Sequence, residues 1–481
     1  MPKLCSSSSL VILVSFVPFS SAPAQVALKQ LSRDKFTNTG SQHATEVEPH
    51  IFGYGSTMVS AFQVGRVYGG GSADIGFATS TDAGATWTAG YLPGITQAQN
   101  PANPYQYASD PAVAYDAKHG VWLIESLPLG SGQIPAVLVS RSADGIHWGN
   151  PVGLALTSSS DKSWIVCDNG ASSPYFGNCY VEWDDPAAGE LIQMSVSTDG
   201  GRTWESPLAT AGRALGLGGQ PLVQPNGTVV VPINNSSQGA ILAFSSHDGG
   251  ASWSSPVTVS RIREHLDPGG IRSGPLPSAA VDMNGTVYVT WEDCRFRSGC
   301  TANDIVMSTS TDGATWSTPA RIPIDATTSG IDHFIPGLGA DPQTAGSSAH
   351  LALTYYYYSQ GNCTASTCQL NVGFTASEDG GATWTAPVQL AGPMKLAWLP
   401  ATSNGRMVGD YIATAFSQGR AYGVFAVAKA NSGSTFREAI YTTAVGQSAV
   451  DSSVTFTSAG EIPVPDAISD RPPRETPILI R

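Results

Sequence analysis

The octapeptide STDAGATW at residues 80–87 returns as STDGGRTW at 197–204, SHDGGASW at 246–253 and SEDGGATW at 377–384. Two copies are one residue shorter, SADGIHW at 142–148 and STDGATW at 310–316. Their aspartates are Asp82, Asp144, Asp199, Asp248, Asp312 and Asp379, spaced by 49 to 67 residues. That period marks a repeat array of supersecondary units. Each copy reads as a hairpin turn. The Asp carboxylate accepts backbone N–H bonds, glycine takes a positive φ, and the Trp ring packs on a neighbouring strand. The six aspartates are therefore read as turn residues rather than catalysts.

The rest of each unit is legible separately. Paired strands joined by a polar turn are read at 51–63, 112–124, 165–183, 222–233, 278–291, 338–358 and 408–427. NGTVVV at 226–231 and NGTVYV at 284–289 show the repetition. Seven pairs against six octapeptides leave the last unit, continued by 436–445, without an outer strand. Residues 26–32 read as that missing strand, which would close the array and remove an open sheet edge. The expectation is an all-β chain of seven four-stranded units, with six as the alternative, closed by the N-terminal strand. No window shows sustained apolar spacing of three and four, so helix should be nearly absent.

Composition agrees. Charged residues are 13% of the 481, with Gly 52, Pro 33 and 11 Trp. Sparse charge with many turn formers fits short strands, and the aromatic content opposes disorder. A net charge of −13 repels phosphate backbones, which excludes nucleic acid as a partner. No apolar run reaches membrane-spanning length.

Residues 1–24 read as a secretory signal: Lys3, the apolar core LVILVSFVPF at 10–19, then small residues up to a cleavage point after Ala24. The folded part then runs over 25–445. The tail 446–481, with Pro463, Pro465, Pro472, Pro473 and Pro477, reads as extended. Export fits the cysteines. Beyond Cys5, six remain as sequence neighbours, Cys167/Cys179, Cys294/Cys300 and Cys363/Cys368. Of the possible pairings, proximity favours these three disulfides. Zinc is disfavoured because no His stands at ligand spacing beside any pair. No metal and no cofactor are expected.

The octapeptide resembles the Asp box, or BNR repeat, of sialidase-like β-propellers, and the resemblance covers roughly 45–445. It implies a propeller with each box between the third and fourth strands of a blade, opposite the active face. Loops entering first strands then offer Glu46, Glu48, Asp110, Asp161, Lys162, Gln220, Arg272, Asp332, His333, Arg406 and Asp410. Loops leaving second strands offer Arg66, Asp184, Asp185, Glu292, Asp293, Arg295, Arg297 and the tyrosines 355–358. Guanidinium groups grip carboxylates with two parallel bonds, so Arg66, Arg272, Arg295 and Arg406, with Glu48 and Asp161 among them, are expected to bind an acidic sugar.

A sialidase uses three arginines, a tyrosine nucleophile assisted by a glutamate, and an aspartate acid. The resemblance assigns Tyr356 with Glu292 to the nucleophile pair and Asp110 to the acid. The family's first arginine has no counterpart in EVEPHIF at 46–52. The expected function is a secreted, monomeric glycoside hydrolase of sialic or uronic acid-containing glycans. The alternatives are a uronate-specific lyase and a non-catalytic propeller binding glycans or proteins. No Gly-x-Ser-x-Gly, His-Glu-x-x-His or phosphate loop offers another chemistry.

Overall fold

The computed structural model describes residues 26–448, with Met1 and the backbone of Thr455–Thr457. The signal-like segment beyond Met1 and most of the tail lie outside the described residues. The chain is all β. Its helical turns among the described residues are short 3-10 segments of three residues each, such as Pro186–Ala188 and Leu396–Trp398.

The strands form successive antiparallel meanders, each strand pairing with the next. The first is Glu46–Tyr54, Thr57–Arg66, Ser72–Ser80 and Thr88–Tyr91. The second is Tyr107–Asp116, Val121–Leu129, Ile134–Ser142 and Val152–Thr157. The third is Asp161–Cys167, Cys179–Asp185, Leu191–Ser197 and Leu208–Ala209. The fourth is Leu222–Val223, Val229–Asn235, Ala240–Ser246 and Val257–Arg261. The fifth is Ser278–Val281, Val287–Asp293, Asp304–Ser310 and Ala320–Arg321. The sixth is His333–Ala340, Leu351–Tyr358, Gln369–Ser377 and Val388–Lys395. The last is Ala413–Ser417, Arg420–Ala428 and Glu438–Thr443, and Leu28–Gln30 pairs antiparallel with Glu438–Thr443, Leu28 facing Thr443.

Each octapeptide joins a third strand to the outermost one. Asp82 Oδ1 accepts the Ser80 hydroxyl at 2.9 Å and the Thr86 N–H at 2.8 Å, and Oδ2 accepts the Thr86 hydroxyl at 2.6 Å. Asp199 repeats this with Thr203, and Asp379 with Thr383. The shorter copies use Ile146 and His147 on Asp144, and Ala314 and Thr315 on Asp312.

The box also packs each meander on the one before it. A Cβ added at Gly250, φ 91°, would lie 2.4 Å from Val196 of the preceding meander. Gly84 of the first meander packs in the same way on Tyr422 of the last, whose hydroxyl donates to the Ala83 carbonyl at 2.6 Å. The first strands of all the meanders line one central cavity, from His50 through Val113, Trp164, Leu222, Ala279 and Leu338 to Ala413.

The three disulfides are present as Cys167–Cys179, Cys294–Cys300 and Cys363–Cys368, with Cα separations of 4.0, 4.9 and 4.8 Å. In the tail, Thr455–Thr457 pairs as a strand with Thr383–Thr385. No helix among the described residues is long and apolar enough to cross a membrane.

Candidate active site

Three consecutive first strands carry the same irregularity. Their pairing with the second strand shifts between Val47 and His50, between Ser109 and Ala112, and between Asp161 and Trp164. Inside each shift stands a residue with a left-handed backbone: Glu48 at φ 52°, Asp110 at φ 45° and Lys162 at φ 47°. An extra residue in one strand breaks the alternation of faces and re-aims a side chain. For a side chain with a Cβ this conformation costs of order 1–3 kcal/mol, and such strain gathers at functional sites. The bulges deliver Glu48, Asp110 and Lys162 to one place. Asp410, just before Ala413–Ser417, and Arg272, in the segment before Ser278–Val281, complete the group.

Lys162 Nζ lies 2.5 Å from Asp410 Oδ2 and 3.8 Å from both Glu48 Oε1 and Asp110 Oδ2. Arg272 grips Asp410 with two bonds, Nε to Oδ1 at 2.7 Å and Nη2 to Oδ2. The Asp410 N–H donates to Glu48 Oε1 at 3.2 Å. Gln63 Nε2 donates to Glu48, to the Ser109 hydroxyl at 3.1 Å and to Asp110 at 3.4 Å. Glu48, Asp110 and Lys162 are buried, and Arg272 retains 17% side-chain exposure.

The electrostatics separate the carboxyls. Burial, then the neighbouring Asp110 charge, pushes Glu48 well above the usual carboxylate range. Burial opposes ionisation of Asp110 too, but Lys162 and the hydrogen bond with Glu48 hold it below that range. Glu48 is thus driven towards the protonated form and Asp110 towards the ionised one. Asp161 is raised by burial to about 6, partly offset by Lys162. Against its burial, Lys162 is held well above its ordinary value by Asp110, Asp410 and Glu48. Asp410 overcomes burial through Arg272 and Lys162 and stays ionised. Arg66 is close enough to sense Arg272, Glu48, Asp410 and Asp110. With Glu48 neutral, the anions Asp110, Asp161 and Asp410 balance the cations Lys162, Arg272 and Arg66.

Of the residues expected from sequence, Glu48, Asp110, Asp161, Arg272 and Arg66 therefore meet, though Arg66 points its Nε at the Met407 sulfur and its Nη1 at the Gly71 carbonyl. Arg406 reaches the group through its backbone, its carbonyl accepting the Arg272 N–H at 2.6 Å, while its own guanidinium donates to the Leu399 carbonyl. Arg295 is corrected: it pairs with Asp293, lies over the Trp291 ring and reaches the Arg261 carbonyl of the preceding meander, so its charge is spent on Asp293. Tyr356 is corrected as well. Its hydroxyl is fully buried, donates to the Ala426 carbonyl and accepts the Ala426 N–H, both at 2.9 Å, and so locks two meanders together. Glu292 is buried in Val287–Asp293, opposite Ile305. Lys162 and Asp410, offered by the sequence among the residues entering first strands but given no role, join the group, as does Gln63, which the sequence did not offer. Their trace is the series EP, DP, DK and GD at 48–49, 110–111, 161–162 and 409–410, at the entry of four first strands.

Two sets of side chains have metal-ligand atoms within 4.8 Å of one another, His265/Asp267/Asp332 and Asp304/Asp325/His333. In the second, Arg297 and Arg321 already bind both aspartates. In the first, Asn303 and Ser273 donate to Asp267, and His265 Nδ1 lies 2.8 Å from Asp332 Oδ1.

A BNR repeat-like domain matches residues 170–339. The matched segment holds three of the octapeptides, those at 197–204, 246–253 and 310–316. The chain carries a BNR repeat-like domain. No curated protein matches its sequence. Among solved structures, the BNR-repeat chain is similar to an ulvan lyase of polysaccharide lyase family PL25, with TM-score 0.50 and 11% identity over 88% of this chain and 96% of that one. It is similar to a Hadza microbial sialidase, with TM-score 0.42 and 16% identity over 84% of this chain and 66% of that one. A third is the Trypanosoma rangeli sialidase, with TM-score 0.47 and 12% identity over 89% and 59%. The BNR-repeat chain thus spans about two thirds or less of the length of these sialidases, and the likeness is one of fold.

Proposed function

We infer that the protein is a glycoside hydrolase of acidic glycans whose active site is the Glu48–Asp110–Lys162–Arg272–Asp410 group. One observation carries this reading: two buried carboxyls, Glu48 and Asp110, each 3.8 Å from Lys162 Nζ, which also meets the Asp410 that Arg272 grips, with burial pushing Glu48 up and Lys162 holding Asp110 down. Neighbouring carboxyls driven to opposite protonation states are the requirement for paired acid and base work. In this reading Glu48 gives its proton to the glycosidic oxygen as the bond to the sugar breaks. A water then adds to the sugar and returns a proton to the hydrogen-bonded Glu48–Asp110 pair, which restores it. The fork on Asp410 uses Nε and Nη2 of Arg272, which leaves the Nη1 edge, with Lys162, to meet the carboxylate of a sialic or uronic acid. Tyr356 has no part in the chemistry.

The scaffold in this reading is a seven-bladed propeller closed by Leu28–Gln30, exported after cleavage near Ala24 and acting as a monomer. The packing of Gly84 on Tyr422 and the cavity shared by all the first strands support the closure.

Purified protein incubated with fluorogenic sialosides and uronate-capped oligosaccharides tests the reading. New reducing ends are expected, and Glu48→Gln and Asp110→Asn should each lower kcat by about a hundredfold or more with unchanged Tm. Release of an unsaturated uronate in their place would make the protein a lyase. Glycan binding without turnover would make it a binding module. Full activity in both variants would remove the site from this group.

A further inference from the structure

Below the charged group lies a space that the reaction does not use. The central cavity measures about 570 Å³, the size of a site for a small organic molecule. His50, Trp164 and Tyr411 separate the two regions: the His50 and Trp164 rings are 4.5 Å apart and those of Trp164 and Tyr411 5.0 Å. The walls are mostly apolar, from Ile51, Leu222, Val223, Val281 and Ile412. No Lys or Arg lines them. The carboxylate at the wall, Asp282, is already held by the N–H groups of Asn284, Thr286 and Gly346 and by the Tyr288 hydroxyl.

Two polar side chains in this lining have donors to spare. His50 is 8% exposed, and its Nδ1 accepts the Val113 N–H at 2.8 Å. A ring that accepts at Nδ1 carries its proton on Nε2. Gln220 is 6% exposed and spends its Oε1 on the Ala279 N–H at 3.0 Å, which leaves its amide N–H groups. Donors that face a largely apolar cavity in this way fix the orientation of a ligand that offers an acceptor.

We propose that this cavity is a second binding site, for an uncharged, mainly apolar molecule that presents one hydrogen-bond acceptor, such as a ketone or lactone carbonyl, to His50 Nε2 and the Gln220 amide. The apolar walls take the body of the ligand. The absence of a cation in the lining disfavours anions, which would lose their hydration without a partner.

Nile red, a neutral apolar carbonyl dye, serves as the probe on the whole protein. The expected result is saturable fluorescence enhancement at one site per chain. Benzophenone should compete at least tenfold better than 4-benzoylbenzoate. Val223→Phe and Ala279→Phe, which fill the space from two different strands, should each abolish binding. His50→Phe keeps a ring but removes the donor, and should weaken binding about tenfold. Thermal unfolding monitors folding of each variant; should one fail to fold, the other filling variant and the competition ratio decide. Non-saturating uptake, equal competition by ketone and carboxylate, or undiminished binding in a folded filling variant overturns the proposal, the last two by placing the dye elsewhere and the first by leaving the cavity to water.

Discussion

Glu46 and Asp74 show how far a single buried carboxyl departs from its ordinary behaviour. Glu46 is 1% exposed, and burial with the Asp34 charge raises it to about 8; burial alone dominates at Asp74, also raised to about 8. Each holds a proton in the folded chain that the unfolded chain releases near its ordinary value. The stability that each proton contributes is whole below that value and is lost as pH climbs towards and through about 8. Depressed carboxyls such as Asp82 and Asp199, both lowered to about 2, work in the other direction, and lose their contribution only as pH falls from about 4 towards 2. Calorimetry from about pH 5 to about pH 9 should therefore show Tm falling with rising pH. Glu46→Gln should flatten that slope; a Tm that climbs over the same interval would contradict the assignment of protonated carboxyls.

The Asp box is the recurring element, and its parts contribute differently. The Asp199 carboxylate lies at the surface and organises its turn through Ser197, Arg202 and Thr203. Asp199→Ala should cost about 1–2 kcal/mol, because exposed turn bonds are partly replaced by water. The box glycines face inwards. Gly250→Ala meets Val196 at 2.4 Å and also forces an alanine to φ 91°, two penalties that water cannot relieve. Urea unfolding should place Gly250→Ala well below Asp199→Ala in stability, with the proposed glycan turnover unchanged in Asp199→Ala. Equal losses would mean that the box acts only through its hydrogen bonds.

For the whole molecule, the decisive contact is made by the first described strand. Leu28–Gln30 covers the edge of Glu438–Thr443, residues far apart in the chain. Ser32 extends the seam, its hydroxyl accepting the Ile440 N–H at 2.7 Å and donating to Glu46 at 3.2 Å. Deleting residues 26–32 uncovers a sheet edge able to recruit another chain. The expected outcome is a lower Tm and concentration-dependent association by light scattering. A deletion variant that stays monomeric with wild-type Tm would show that the last meander is closed without this strand.

What the sequence determined by itself is what short-range chemistry encodes. Ser, Asp, Gly and Trp within eight residues specify the box turn, because every partner of Asp199 lies within four residues of it. The alternation of paired strands and the neighbouring cysteines were legible for the same reason. The proposed active group was legible only in part. Acidic residues at the entry of first strands pointed to Glu48, Asp110 and Asp161, yet nothing local distinguishes Lys162 or Asp410 from other polar loop residues. They meet because the bulge at Lys162 and the chain just before Ala413–Ser417, 248 residues further on, are brought together by the fold. The roles expected of Tyr356 and Arg295 failed on the same ground. A hydroxyl or guanidinium takes whichever partner the packing places nearest, Ala426 for one and Asp293 for the other, and only the tertiary structure decides which partner that is.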